Sequence, residues 1–271
     1  FPISLFLALF SKENGALIPF YILAIEFLAF RFSFNSLIEK RRIMVFLGIF
    51  CILPIVLACI YALLNFNQIV DYSVRDFTLS ERLMTQLYAV VFYLKLIILP
   101  RLADMSLFHD DFEAIQQMDI VTALLLVLFI GAVYLIFYLR NRAPVIAFAI
   151  AWFIVSHLLE STFISLELIF EHRNYLAALG PIFAIIYYLC KIPQYPQLKY
   201  FGLIILLFWT FLTSTRVGEW KSELSIYQIA VQEHPQSLRA ITGFARTSYE
   251  LGDIDSAFEY LRIAQGLDTK E

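Results

Sequence analysis

Long apolar runs separated by short polar breaks dominate the chain. The runs do not alternate with polar residues, so they predict helices and not the strands of a membrane barrel. The predicted membrane helices are residues 15–30, 43–64, 120–139, 143–158, 175–190 and 200–215, and residues 1–10 are the end of a further helix. The predicted fold class is therefore all-α, a polytopic transmembrane helical bundle.

Composition supports a membrane protein and excludes several soluble classes. Of 271 residues, 61% are hydrophobic and 16% charged, and the mean hydropathy is +0.75; a soluble domain is about half apolar and a quarter charged. No basic field suggests nucleic acid. Cys51, Cys59 and Cys190 lie inside apolar runs without disulfide or zinc spacing. There is no Walker loop, nucleophile elbow, dinucleotide fingerprint or zincin motif.

The placement of Lys and Arg predicts the orientation. Basic residues cluster in the breaks at residues 31–42, 140–142 and 191–199, which the positive-inside rule places in the cytoplasm. All three share that side if residues 83–100 do not cross, so we predict an interfacial or re-entrant helix there. Residues 65–82, 101–118 and the C-terminus then face the periplasm or lumen. The predicted location is the bacterial inner membrane, or the endoplasmic reticulum membrane in a eukaryote.

From Val217 the chain becomes amphipathic. Small residues at Ala245, Gly252, Ala257 and Ala264 match the positions where the two helices of a tetratricopeptide repeat meet. We therefore predict a membrane domain at residues 1–216 and about one and a half repeats at residues 217–271. Further repeats are expected beyond residue 271, because an isolated repeat cannot bury its face. The chain starts inside an apolar run without Met, so we expect an N-terminal part to be missing.

The stretch from His157 to Gly180 carries acids between two apolar segments. His157, Glu160, Glu167 and Glu171 are spaced by 3, 7 and 4 residues, which predicts one face of a single α-helix. Three interpretations stay open: solvated acids, structural pairs with Arg173 and His157, or a site for a metal or phospho-sugar. Hard oxygen ligands suit Mg²⁺, Mn²⁺ or Ca²⁺. The fork of Arg173 suits a phosphate.

Other charged residues interrupt apolar or outer segments. Lys12 and Glu13 occupy a turn between two apolar helices, where they either neutralise each other or Lys12 binds an anionic headgroup. The outer loop carries a further group of three, which is either a solvated turn or a second site: His109, Asp110 and Asp111. Glu26 lies inside a predicted span, where a carboxylate normally has a partner or a role.

Three segments carry a resemblance to a known family. They are KENG (residues 12–15), the outer-face segment at residues 81–112, and EHRNYLAALG (residues 171–180). Together with the terminal repeats they resemble the multispanning glycosyltransferases of the GT-C fold class with C-terminal tetratricopeptide repeats, of the type of the TMTC O-mannosyltransferases and their bacterial relatives. The sequence departs from the family pattern at Ala177, where the family has Pro, and at His172, since the Arg follows one residue later.

The resemblance implies transfer of a sugar from a polyprenyl or dolichyl phosphate to a protein hydroxyl on the outer face. The family's general base lies in its first outer loop, which precedes residue 1, so no catalytic residue is assigned. The implied donor-phosphate ligands are Lys12, His172 and Arg173, with Glu13, Glu171 and Tyr175 in support. The implied partners are the lipid-linked sugar, membrane lipids and an acceptor polypeptide or protein on the repeats. No metal site is assigned, and the one cofactor considered is a divalent cation.

Two other functions stay open. The first is an oligosaccharide ligase or polymerase with a lipid-diphosphate donor. The second is a non-catalytic, membrane-anchored repeat scaffold. The acids Glu26 and Glu167 argue against a simple anchor, which needs one span and no acid within the membrane.

Overall fold

The computed structural model describes residues 2–191 and 196–268, and this part of the chain is all-helical without any strand. The helices in chain order are α1 (Pro2–Ser11), α2 (Ile18–Ile25), α3 (Leu37–Leu47), α4 (Leu53–Leu64), α5 (Phe66–Ile69), α6 (Leu79–Ile98), α7 (Ile120–Leu139), α8 (Pro144–His157), α9 (Asn174–Ala177), α10 (Leu179–Lys191), α11 (Pro196–Glu219), α12 (Glu223–Glu233), α13 (Leu238–Glu250) and α14 (Ile254–Asp268). Short 3₁₀ and π segments join or extend them at Glu13–Leu17, Glu26–Phe30, Gly48–Ile52, Leu102–Asp104 and Glu171–Arg173. The predicted helical class is confirmed.

Within the described residues, four continuous helical segments are long and apolar enough to cross a membrane. They are Glu13–Phe30, Leu37–Leu64, Ile120–Leu139 and Tyr200–Glu219. A helix pair bent by 45°, Glu171–Ala177 with Leu179–Lys191, is a fifth candidate if it forms one broken span. The predicted span at residues 143–158 is the shorter apolar helix α8. The predicted turn at residues 191–199 lies partly outside the described residues, which exclude 192–195, and α11 already begins at Pro196.

Helix α6 covers most of residues 83–100, the segment that we predict to be interfacial or re-entrant. It is not among these candidate membrane spans. It buries a polar stripe, because Arg82, Thr85 and Gln86 are at most 3% exposed. Its position at the membrane surface stays a prediction, as does the orientation of the chain.

The chain divides into two compact units. The first comprises residues 1–90, 115–166 and 173–188. Part of its core is formed by Leu28, Ala147 and Ala151. Gly180 allows a close helix contact there, since a Cβ at this position would lie 2.8 Å from the Ala149 carbonyl oxygen. Small side chains therefore set the distance between α8 and α10.

Local signals explain where several helices begin. Ser36 accepts a hydrogen bond from the Glu39 N–H, and Asp119 accepts one from the Thr122 N–H, so each side chain caps a helix N-terminus. Ser222 and Ser237 cap α12 and α13 in the same way. These caps satisfy backbone donors that have no partner within the helix.

The second unit comprises residues 91–114, 167–172 and 189–271. Its helices α12, α13 and α14 pack in sequence, and the predicted small residues Ala245, Ala257 and Ala264 are buried. Gly252 adopts φ +85° in the turn after α13, a conformation that favours glycine. Helix α11 continues to Glu219, past the predicted boundary at residue 217. The assignment as tetratricopeptide repeats stays a prediction.

Candidate functional site

The stretch after α8 is not a helix, so the predicted helical face of four acid and imidazole side chains is wrong. Helix α8 ends at His157, and the next helical turn is the 3₁₀ segment Glu171–Arg173. Hydroxyl side chains compete with helical hydrogen bonding in this stretch, and Thr162 Oγ1 donates to the Leu159 carbonyl at 3.3 Å. Five backbone carbonyls of this stretch accept hydrogen bonds from side chains elsewhere in the first unit, those of Glu160, Thr162, Phe163, Ser165 and Leu166.

Arg82 holds this loop through its backbone. The side chain is fully buried and comes from the first turn of α6. Its guanidinium donates to the carbonyl oxygens of Thr162 at 2.9 Å and Glu160 at 2.6 Å, and also to that of Leu166. Hydrogen bonds from a charged donor are stronger than neutral ones. One guanidinium therefore fixes the path of the chain over seven residues.

Two neighbours of Arg82 extend the same arrangement. Tyr72 Oη donates to the Phe163 carbonyl at 2.9 Å, and Arg75 Nη2 donates to the Ser165 carbonyl at 3.2 Å. We did not predict a role for these three side chains. The available signal was the polar spacing of Arg82, Thr85 and Gln86 on one face of α6. The partners, about 80–90 residues away in sequence, leave no local pattern.

Arg173 and Glu160 form a buried ion pair in the first unit. Arg173 Nε lies 3.0 Å from Glu160 Oε2, and the two side chains are 5% and 9% exposed. Structural pairing was one of the three interpretations left open for Glu160. A buried charge is tolerated when an opposite charge compensates its lost hydration. Arg173, a predicted phosphate ligand, thus has a carboxylate beside it in this structure.

Lys12 and Glu13 lie at the turn between α1 and the 3₁₀ segment Glu13–Leu17. Both side chains are exposed. Within the described residues neither forms an ion pair, so they do not neutralise each other here. Tyr175, the predicted supporting residue, is 86% exposed. Lys12 therefore remains the exposed cation of the predicted phosphate ligands in this unit.

Aromatic and hydroxyl groups fix α2 against α8. Tyr21 Oη donates to Ser156 Oγ at 2.9 Å, and the Tyr21 and Trp152 rings stack with centroids 4.2 Å apart. Trp152 Nε1 donates to the Leu176 carbonyl at 2.9 Å. The residues after Arg173 are therefore attached to the helical core. Glu26 is 9% exposed, and its carboxylate forms no hydrogen bond or ion pair within residues 2–191 and 196–268.

The second unit contains the predicted outer-loop residues. His109 is buried, and its Nε2 lies 3.5 Å from Glu171 Oε1. The His109 ring also contacts the His234 ring edge to face, with centroids 5.1 Å apart. His172 is exposed, and its ring lies 5.1 Å from that of Phe170. His109 is thus not part of a solvated turn.

Asp110 and Asp111 bind the start of α13 and the end of α12. Asp110 accepts a hydrogen bond from Ser237 Oγ at 2.5 Å and one from the Arg239 N–H at 3.1 Å. Asp111 Oδ2 lies 2.8 Å from His234 Nδ1. The two acids therefore accept hydrogen bonds at the N-terminus of α13 and pair with the His234 imidazole. In this structure the cluster that we considered as a second site makes structural contacts.

Glu167 also pairs with α13. Its Oε1 accepts a hydrogen bond from Arg239 Nη2 at 2.6 Å, and this bond raises the pKa of the Arg239 guanidinium. We predicted neither Arg239 nor His234 as a partner of the acids. Among the residues that the structure describes, no group of three or more His, Cys, Asp or Glu could hold a metal ion.

No protein-family model, no curated protein and no solved structure matches this chain.

Proposed function

We propose that the chain belongs to a membrane glycosyltransferase of the GT-C class. It transfers a sugar from a polyprenyl or dolichyl phosphate to a protein hydroxyl on the outer face, and α13 with α14 form a tetratricopeptide repeat that holds the acceptor or a partner. The support is the resemblance of three segments, together with the finding that the described part of the chain is all-helical and contains four helical segments long and apolar enough to cross a membrane.

The observation that carries the proposal is a guanidinium at a bent apolar helix pair. Arg173 lies in the first part of the pair Glu171–Ala177 with Leu179–Lys191, which is bent by 45°. Breaks in membrane helices commonly bind charged groups of substrates, and ionisable residues there are usually functional. Glu160 holds the guanidinium in place at 3.0 Å. A lipid phosphate is an anion of the size and charge that such a fork binds.

Lys12 supplies the second cation of the proposed site. It is exposed, lies at the end of an apolar helix and has no ion-pair partner within the described residues. A lysine ammonium is a compact point charge that suits phosphate at a membrane surface. Glu13 and Tyr175 belong to the same unit and keep their proposed supporting roles, whereas the proposed phosphate ligand His172 and the proposed supporting residue Glu171 belong to the second unit. No residue of this chain is assigned as the general base.

The test is sugar transfer in membranes that carry the protein. We expect Lys12→Gln to lower transfer from a labelled polyprenyl-phosphate sugar about 10-fold or more, the loss of one charged hydrogen bond. The matched control is Lys40→Gln, which removes the same charge from another exposed position. Donors with a diphosphate instead of a monophosphate distinguish a ligase or polymerase.

Unchanged transfer in both Lys12→Gln and Arg173→Lys would refute the site. The Lys substitution at Arg173 keeps the charge beside Glu160 and removes the fork, so it tests phosphate recognition with the least risk to folding.

A second candidate function, the membrane-anchored scaffold, is favoured by one observation. The acids of the outer loop bind α12 and α13 through His234, Ser237 and Arg239. A scaffold needs these contacts to hold its repeats, and it does not need Lys12. In cells that depend on the protein, a scaffold predicts that Asp111→Ala abolishes function and Lys12→Gln is silent. The glycosyltransferase predicts loss with Lys12→Gln.

A further inference from the structure

Two arginines meet where two candidate membrane helices end. Arg31 directly follows the helical segment Glu13–Phe30, and Arg140 directly follows α7. Arg31 Nη2 donates to the Arg140 carbonyl at 3.4 Å, which joins positions 109 residues apart in sequence. Both residues belong to the first unit. The ends of membrane-spanning helices lie at the level of the lipid headgroups.

The ring of Phe27 contacts the guanidinium of Arg140. The centre of the Arg140 guanidinium lies 3.9 Å from the centroid of the Phe27 ring, which is close enough for a cation–π interaction. Its Nε is buried and makes no hydrogen bond within the described residues. Arg142 lies over the Tyr138 ring at 4.1 Å. The Arg140 guanidinium is therefore held against the Phe27 ring at this helix end.

No carboxylate balances these charges. Within the part of the chain that the structure describes, Arg31 and Arg140 form no ion pair. The two acids nearest to Arg31 in sequence are Glu26, which is buried within the preceding helical segment, and Glu39, whose carboxylate accepts a hydrogen bond from the Asn35 N–H. Exposed basic side chains at residues 40–42 add charge of the same sign. Because like charges repel most strongly away from bulk water, an anion at this place would stabilise the arrangement.

The backbone at Arg31 is strained. Arg31 and Phe32 have φ of 58° and 54°, in the left-handed region that side chains other than Gly, Asn and Asp rarely adopt. They follow a π-helical turn at Glu26–Phe30. Strained residues persist where surrounding contacts fix them, and they are frequent at sites that hold ligands. In this backbone conformation the Arg31 side chain contacts the Arg140 carbonyl at the end of α7.

We propose that Arg31 and Arg140 form a binding site for the phosphate of an anionic phospholipid headgroup. The guanidinium forks match phosphate oxygens, and the aromatic residues Phe27 and Tyr138 belong to the helix ends beside them. This site is separate from the proposed donor site at Lys12 and does not depend on the proposed reaction.

The experiment is lipid retention by the full chain in nanodiscs of phosphatidylcholine with about one tenth phosphatidylglycerol. Native mass spectrometry of the released protein counts bound phosphatidylglycerol. We expect wild-type protein to retain it and Arg31→Asn to weaken retention about tenfold, the loss of one charged hydrogen bond to the phosphate. Asn tolerates the left-handed conformation, so this variant removes the charge without a new strain. Arg140→Gln should have at least the same effect.

Two controls separate a site from a general charge attraction. Arg41→Gln removes one exposed charge from the neighbouring α3, and Arg101→Gln removes one exposed charge from the second unit. We expect both to retain phosphatidylglycerol within about twofold of wild type. Equal losses in Arg41→Gln and Arg31→Asn, or wild-type retention in Arg31→Asn and Arg140→Gln, would overturn the proposal. Displacement of the lipid by millimolar inorganic phosphate would also overturn it, since the site would then bind free phosphate.

Discussion

Replacing Arg82 by Met should loosen the loop that follows α8. The side chain is fully buried, and its guanidinium donates to the carbonyls of Glu160, Thr162 and Leu166. Met fills a similar volume without a donor. Three carbonyl groups then lose their partner at once. Tyr72 and Arg75 donate to two other carbonyls of this loop, those of Phe163 and Ser165.

The magnitude follows from the three hydrogen bonds. Each hydrogen bond to a charged group contributes about 1.5–3 kcal/mol to stability. The three contributions do not add fully, because the loop relaxes and its freed carbonyls bind water. We expect Arg82→Met to lower the free energy of unfolding by about 3–5 kcal/mol, which is large for a single substitution. Arg82→Lys keeps the charge but not the forked guanidinium, so it should lower the free energy of unfolding by less than Arg82→Met does.

The assay combines thermal unfolding by circular dichroism with limited chymotrypsin digestion, both on protein in nanodiscs. The loop contains Phe163, so a loosened backbone should be cut there first. Arg101→Met is the matched control, since Arg101 is exposed and its substitution should change stability by less than about 0.5 kcal/mol. Wild-type unfolding temperature and wild-type resistance to chymotrypsin in Arg82→Met would refute the role of the guanidinium.

Three further predictions test the packing and the charges. Glu160→Ala should destabilise the protein by about 3–5 kcal/mol in chemical unfolding, and replacing Glu160 and Arg173 together by Leu and Met should cost less, because no charge is then left unpaired. Gly180→Ala should lower the unfolding temperature, since its Cβ would meet backbone at 2.8 Å, whereas Gly131→Ala has nothing within 4 Å and should not. Burial raises the pKa of the Glu233 carboxyl, so its contribution to stability is present below the unfolded pKa and is lost as pH rises through the folded pKa. Glu233→Gln should remove this loss of stability with rising pH. An unchanged dependence of stability on pH would contradict a raised pKa of the Glu233 carboxyl.

The apolar helices could be predicted from the sequence because their signal is local. A run such as residues 120–139 contains no charge and is as long as a bilayer requires, and the helix Ile120–Leu139 follows it. In the structure the Asp119 side chain caps the start of this helix. The predicted and observed limits therefore agree where one physical requirement decides them.

The loop after α8 could not be predicted in this way. The spacing of His157, Glu160, Glu167 and Glu171 matched a helix face, yet the carbonyls of that segment bind side chains about 80–90 residues earlier in the chain. Spacing reports only local periodicity, and a buried Arg can replace helical hydrogen bonding at several positions. The polar stripe on α6 was visible in sequence, but its partner was not.

Ion pairing changes the order of the candidate phosphate ligands. The bidentate chemistry of Arg173 made it the stronger candidate in sequence, but Glu160 lies 3.0 Å from its Nε. A phosphate that binds Arg173 must therefore share the guanidinium with a carboxylate and overcome the repulsion between two anions. Lys12 faces no such competitor among the described residues. If a lipid phosphate binds this unit, Lys12→Gln should weaken phosphate binding more than Arg173→Lys does. The reverse order would mean that the donor displaces Glu160 from Arg173 when it binds.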